Sequence, residues 1–214
     1  MKLARAPRLR RLAHVTAEDS ITQLRRVYRD IDGFLIPAAD VRTVERSRGS
    51  ATYGELMPTA TVRLLAQLDL SRRDVLFDLG AGVGKLILLA AMITPVGRAY
   101  GIELSPSRVA RGQQALRAAR ARRIPGARRA ELIQGDMLRC ELDAATVIYT
   151  CSTAFSTVFM RRLVDRLAGL PNLRALVSLQ EIEEHRDFDP VASPRLDASW
   201  KRRTSVHIYA RRRP

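Results

Sequence analysis

Hydrophobic positions along the 214-residue chain fall into two kinds of run. Short, nearly continuous apolar stretches occupy 74–78 (DVLFD), 98–102 (RAYGI), 130–134 (AELIQ), 145–150 (ATVIYT), 174–180 (RALVSLQ) and 204–210 (TSVHIYA). Bounded by turn formers and charges, such runs predict strands buried on both faces. Between them, apolar residues return every three or four positions over roughly 84–94, 106–123 and 156–168, the spacing of helices that cover a sheet. The alternation predicts an α/β domain with a mostly parallel sheet and helices on both faces. The segment 181–203 shows no helical pattern, so the last strand is expected to enter antiparallel.

Upstream of the first strand, Ile21, Leu24, Val27, Tyr28 and Ile31 share one helical face over 17–31, with Thr16 as the expected N-cap. Residues 32–58 carry turn formers and charges and read as a long loop, a length that in compact domains usually marks function or disorder. A second helix is expected over 59–70. The longest apolar run, LILLAAMI at 86–93, falls well short of the ~20 residues that span a bilayer. These features divide the chain into a basic arm (1–15), a helix and loop (16–58) and a sheet domain (59–214).

Charge changes the picture in one respect. The formal net charge is +15, and only three of the 37 basic residues are lysine: Lys2, Lys85 and Lys201. A field of this sign draws in polyanions and acidic surfaces, although the choice of arginine over lysine also fits a biased base composition. The opening MKLARAPRLRRLAH is basic and lacks the apolar core, about 7–15 residues long, of a secretory signal. Cys140 and Cys151 fall into no zinc-ligand spacing with His14, His185 and His207. The expectation is a cytoplasmic protein with no bound metal and no membrane association.

The chemistry concentrates in FDLGAGVGK, residues 77–85. A phosphate-binding P-loop would need glycine where Leu79 stands and Ser or Thr in place of Leu86. A dinucleotide fingerprint would need a third glycine where Lys85 stands. What remains is a strand ending in Asp78, followed by Gly80, Gly82 and Gly84, which suits the close approach of a small zwitterion with a cationic amine. Glu103 closes the second strand 25 residues after Asp78, near the ~20-residue offset at which an acid takes ribose hydroxyls. Asp136 follows the third. Acids at the carboxyl ends of successive strands stand where open α/β sheets bind ligands.

The Asp78 glycine loop resembles the first motif of class I S-adenosylmethionine-dependent methyltransferases. With YGELMPTATVRLL (53–65), YGIELS (100–105), GDML (135–138) and VIYTCSTAF (147–155), the chain looks like the non-SET, disruptor-of-telomeric-silencing histone lysine methyltransferases. The likeness covers about 53–180, with a weaker echo at ASWKRRTSVHIYA (198–210). It implies a Rossmann-like, seven-stranded methyltransferase fold with an antiparallel last strand, S-adenosylmethionine as cofactor, S-adenosylhomocysteine as product, and a protein substrate. It further implies that Tyr53, Gly54 and Glu55 close over the methionine end of the cofactor. Asp136 would meet the adenine amine and Met137 the ring, while Asp78, Gly80, Gly82, Gly84, Lys85, Glu103, Leu104 and Thr150 complete the cofactor set. Tyr53, Ser152 and Phe155, with Trp200, are the candidates for the reacting end. Two departures stand out: Cys151-Ser152 replaces the family's Asn-Asn pair, and Leu56 replaces a threonine.

Other readings are carried alongside. Thr-Cys-Ser at 150–152 also suits covalent catalysis by Cys151 on RNA, since a thiolate is a strong nucleophile. The acceptor could instead be a small molecule, or the domain could be an inactive module that binds nucleic acid. Arg108/Arg111 and Arg117/Arg120 are spaced three apart on one helix and read as a solvated face.

Overall fold

In the computed structural model, which describes residues 16–47 and 49–212, seven strands form one sheet in the order β3-β2-β1-β4-β5-β9-β6. The strands are β1 (Val75–Leu79), β2 (Arg98–Glu103), β3 (Ala130–Gln134), β4 (Val147–Thr150), β5 (Ala175–Ser178), β6 (Phe188–Ala192) and β9 (His207–Arg211). A separate two-stranded ribbon pairs β7 (Arg195–Leu196) with β8 (Thr204–Ser205). The β1 to β5 pairings are parallel, and β9 runs antiparallel to both neighbours, as its connection through 181–203 led one to expect. The basic arm assigned to 1–15 lies outside the described residues.

Among the described residues six α-helices accompany the sheet: α1 (Ala17–Val27), α2 (Ala38–Arg46), α3 (Pro58–Leu65), α4 (Lys85–Ile93), α5 (Pro106–Ala121) and α6 (Thr157–Ala168). Three of them begin on a side-chain cap. Thr16 caps α1 in a reciprocal box with Asp19, Ser105 caps α5, and Ser156 caps α6. The central strands are nearly all buried, because one face packs on α1, α3, α4 and α5 and the other on α6. Leu64, Leu76, Ile87 and Leu88 mark the first core; Leu79, Ile148, Leu163 and Leu167 mark the second.

One expectation is corrected. Residues 32–58 are not one loop, because α2 forms within them. Its Asp40 is buried and accepts hydrogen bonds from the Ser105 hydroxyl (2.6 Å) and the Ser107 amide (2.8 Å), so α2 is pinned to the start of α5. Burial pushes that carboxyl upward, but the bonds from Ser105 and Ser107 and the Arg108 charge outweigh it, and the net shift is downward. The segment 181–203 holds no helix, as expected. It supplies β6, an edge strand whose pairing with β9 carries an irregularity between Pro190 and Ala192, as a strand lacking one amide requires.

Candidate functional site

The loop after β1 turns sharply against the end of β2. The Gly80 and Ala81 amides both donate to the Ile102 carbonyl, at 2.9 and 3.0 Å, and the Gly82 amide donates to the Glu103 carboxylate at 2.8 Å. Gly82 has φ +55°, and a Cβ there would stand 2.3 Å from the Tyr53 ring. Glycine is therefore required twice over, by backbone and by neighbour. The other Glu103 oxygen accepts the Ser105 amide at 2.9 Å, and Arg108 lies 3.9 Å away.

Tyr53, Gly54 and Glu55 lie across this loop. The Tyr53 hydroxyl donates to Glu55 (2.7 Å), Glu55 accepts from Lys85 (2.6 Å), and the Arg108 guanidinium sits 5.0 Å from the Tyr53 ring centre. The strip is held from its far side by residues 197–199. Met57 donates to the Asp197 carbonyl (2.9 Å), Ser199 to the Glu55 carbonyl (2.8 Å), and Leu56 bridges Ala198. This brings the Trp200 ring so close to Gly54 that a Cβ at that position would meet it at 2.4 Å.

Two compartments result. A cavity of about 410 Å³ is bordered by Glu103, Leu104, Met137, Phe155, Phe159 and Trp200 among others. A smaller recess of about 40 Å³ is bordered by Glu55, Asp78, Lys85 and Tyr149 among others. Tyr53, Gly54, Gly80 and Cys151 border both, so the compartments adjoin.

Their electrostatics differ. Asp78 is buried and one of its oxygens has no hydrogen-bond partner; burial, and next the nearby Glu103, push its carboxyl up to about 8. It therefore stays largely neutral at pH 7 unless a cation joins it. Burial, and next Asp78, push the Cys151 thiol up to about 12. That thiol is the opposite of an activated nucleophile, which counts against the covalent reading.

Sequence relationships point the same way as this geometry. The family described as Histone methylation protein DOT1 matches residues 36–202. The chain belongs to the DOT1 family. It is 30% identical over 153 residues to an H3 lysine-79 specific histone-lysine N-methyltransferase of Caenorhabditis elegans, covering 67% of this chain and 16% of that protein. It is also 30% identical over 86 residues to a protein-lysine N-methyltransferase of Saccharolobus islandicus (strain REY15A), covering 40% of this chain and 50% of that one. The chain thus spans half or less of these relatives. Among solved structures, an RNA methyltransferase from Salinibacter ruber in complex with S-adenosyl-L-homocysteine superposes with a TM-score of 0.54 at 24% identity, over 71% of this chain and 90% of that one, a likeness of fold.

Within this DOT1-family fold, the residues singled out by sequence do not all reach the two compartments. Asp136 stands between Gly135 and Met137, which border the cavity, but one of its oxygens accepts the Leu138 amide at 2.8 Å and closes a turn. The Thr150 hydroxyl is buried and donates to the Leu79 carbonyl at 3.0 Å, tying β4 to β1. Ser152 is not brought to the cavity. It is fully buried, accepts the Gln180 amide at 2.9 Å and shares a hydrogen bond with Ser178 at 2.8 Å, closing the junction of β4 and β5. Phe155 is half-buried, 4.8 Å from Phe159 between ring centres, and so belongs to both core and cavity wall.

The expected solvated arginine face on α5 holds for the exposed Arg117 and Arg120 and is corrected at Arg108. Arg108 is buried and donates to the carbonyls of Gly33 (2.9 Å) and Ala51 (2.7 Å), while Arg111 donates to that of Leu35 (2.7 Å) and Arg120 to that of Ala130 (2.7 Å). Sequence reasoning missed Arg108 and Asp40 as organisers of the site. Their partners lie 57 to 75 and 65 to 67 residues away, where no local spacing reveals them.

Proposed function

We propose that the protein transfers a methyl group from S-adenosylmethionine to a lysine side chain of a protein acceptor. The observation that carries this reading is Asp78, a buried strand-end carboxylate with a free oxygen beside a recess that adjoins a larger, apolar-walled cavity. A ligand with a cationic amine at one end and a nucleoside at the other fits this pair of compartments. The relatives named for protein-lysine methylation support lysine as the acceptor.

In this reading Asp78 receives the ammonium, and its lost proton is offset by the ion pair formed. Lys85 and Glu55, 2.6 Å apart, flank the amino-acid end with Tyr53. Each Glu103 oxygen already accepts one N–H and retains a lone pair for a ribose hydroxyl. Leu104 and Met137 supply apolar contact for the base, Asp136 an acceptor for its amine, and Gly80, Gly82, Gly84 and Thr150 keep the loop and strand end close. Residues 16–58 close the site and 59–214 form the transfer domain.

S-adenosylmethionine supplies an activated methyl on a sulfonium centre. The chain's own residues align the acceptor and exclude water. Tyr53, Phe155, Phe159 and Trp200 wall the acceptor side, and in such surroundings an ammonium gives up its proton more readily because burial disfavours the charged form. Cys151 stays a thiol and takes no covalent part.

Calorimetry with S-adenosylmethionine and S-adenosylhomocysteine should show saturable binding. Incubating the protein and methyl-labelled cofactor with separated protein, RNA and metabolite fractions of its host should place the label in protein, as methyl-lysine after hydrolysis. Label in RNA or metabolites alone would replace the acceptor, and no binding of either nucleoside would overturn the reading.

A further inference from the structure

Some arginines of this chain are consumed internally: Arg108, Arg111, Arg120 and Arg166 donate to backbone carbonyls, and Arg174 pairs with Asp74 at 2.7 Å. Of the rest, some pair with surface acids, as Arg161 does with Glu183 and Arg212 with Asp189, others such as Arg25, Arg26 and Arg162 are exposed elsewhere, and six sit on the segments that lead into β1, β2 and β3. There Arg72, Arg73, Arg98, Arg122, Arg123 and Arg128 are exposed, and among the described residues none of them forms an ion pair.

These residues converge. β3, β2 and β1 are adjacent and parallel, Arg98 pairs in register with Val75, and Ala99 pairs with Ala130. With neighbouring strands about 4.8 Å apart, three strand starts fall within roughly 10 Å of one another. Direct contacts agree: Arg98 donates to the Arg128 carbonyl at 3.4 Å, and the Arg72 carbonyl lies 2.4 Å from where a Gly97 Cβ would stand. Asp74, the acid inside these segments, is turned inward to Ser71, Thr146 and Arg174. Asp69 and Glu131 flank these segments and Asp143 precedes the adjacent β4; these exposed acids are fewer than the six guanidinium groups.

We infer that this pole, at the end of the sheet opposite the cavity, docks the phosphodiester backbone of nucleic acid. Planar guanidinium forks match phosphate oxygens in pairs, and a stiff backbone carries charge at the density such a cluster requires. An acidic protein partner fits less well. Protein interfaces gain their energy from apolar and aromatic anchors, whereas the exposed large hydrophobic residues Phe34, Leu35, Met57, Ile133, Val158, Val191 and Trp200 all lie outside these segments. Contact with phosphates alone carries no base readout, so binding is independent of sequence. Because the pole faces away from the cavity, nucleic acid and a ligand in the cavity bind together, and the inference stands whatever the acceptor is.

The test is fluorescence anisotropy of the full chain with labelled duplex DNA and duplex RNA of several unrelated sequences, with a poly-glutamate peptide as the protein-like polyanion. The triple variant R72A/R98A/R128A should weaken nucleic-acid binding at least tenfold at low salt and lower the slope of log affinity against log salt by about 3. A matched variant of exposed arginines elsewhere, R25A/R26A/R162A, should change both by much less. Thermal melting and cofactor titration report whether the fold survives in each variant. Equal losses in the two variants would assign the binding to overall charge, and an unchanged triple variant would assign it to another surface. Tighter binding of poly-glutamate than of either duplex would make the partner a protein. Each of these three outcomes overturns the inference; a duplex preference for DNA or RNA names the source.

Discussion

The recess and the cavity share four residues and both have apolar borders, but they differ in the charges they hold, Asp78, Glu55 and Lys85 in the recess and Glu103 and Arg108 in the cavity. The recess gathers Asp78, Glu55 and Lys85 around about 40 Å³, and the cavity is walled by Met137, Phe155, Phe159 and Trp200 around about 410 Å³. In the proposed reading the recess takes the amino-acid end of the cofactor, while the cavity takes the nucleoside at Glu103, Leu104 and Met137 and the acceptor at Phe155, Phe159 and Trp200. A charged pocket recognises a zwitterion because each end of it replaces water with an opposite charge, whereas a dry apolar wall favours the neutral amine that displacement needs. Tyr53 touches both sides, and its ring is fixed by Gly33, Gly82 and the Arg108 guanidinium, so it acts as the partition.

The comparison breaks most sharply at Asp78. In Asp78→Asn the partner of the cationic amine is lost, and cofactor affinity should fall by about 2–3 kcal/mol, or roughly 30- to 150-fold, read by calorimetry. The same variant should be more stable than the parent at alkaline pH without ligand. The Asp78 carboxyl is raised from 3.8 to about 8 by burial and by Glu103, so between those values the folded chain holds a proton that the unfolded chain has released. Stability from this group therefore falls as pH rises through that window and levels above about 8, and thermal melts from pH 5 to 9 should show a steeper decline for the parent than for Asp78→Asn. Loss of stability in Asp78→Asn at pH 9 would contradict this reading of the recess.

On the cavity side, Trp200→Ala should lower turnover by about tenfold, or roughly 1.4 kcal/mol, while cofactor affinity changes by less than about threefold. A comparable loss of cofactor affinity would erase the division between the acceptor and nucleoside ends of the cavity. Glu103→Ala, at the nucleoside end, should weaken cofactor binding by about 1.5–3 kcal/mol, the range of a hydrogen bond to a charged group. The smallest effect is expected for Cys151→Ala, whose turnover should stay within about twofold, since a thiol pushed up to about 12 is not the nucleophile.

Legibility in the sequence followed the range of the interactions. β1 to β5, α1 and α3 to α6 were readable from apolar periodicity, because each buries its own face, and α1, α5 and α6 carry their own caps in Thr16, Ser105 and Ser156. α2 was not readable, because what holds it is Asp40 bound to Ser105 and Ser107 across the chain. β6 was hidden by Pro190, which reads as a strand breaker until an edge position makes it tolerable. At the site, the acids and glycines stood out by spacing, whereas Ser152 looked available and is spent on Gln180 and Ser178.

By itself the sequence determined the sheet apart from β6, the turn at Gly80 to Gly84, the three strand-end acids and the kinship of the chain, since all of these are written in local spacing and residue type. Only the tertiary structure decided which polar atoms remain free. It left an Asp78 oxygen unpartnered, drew Arg108 inward onto two carbonyls, set Trp200 against Gly54, and left six arginines without acids at the far pole. Hydrogen bonds and burial are settled by neighbours far apart in the chain, and a group's chemistry follows from what those neighbours leave unsatisfied.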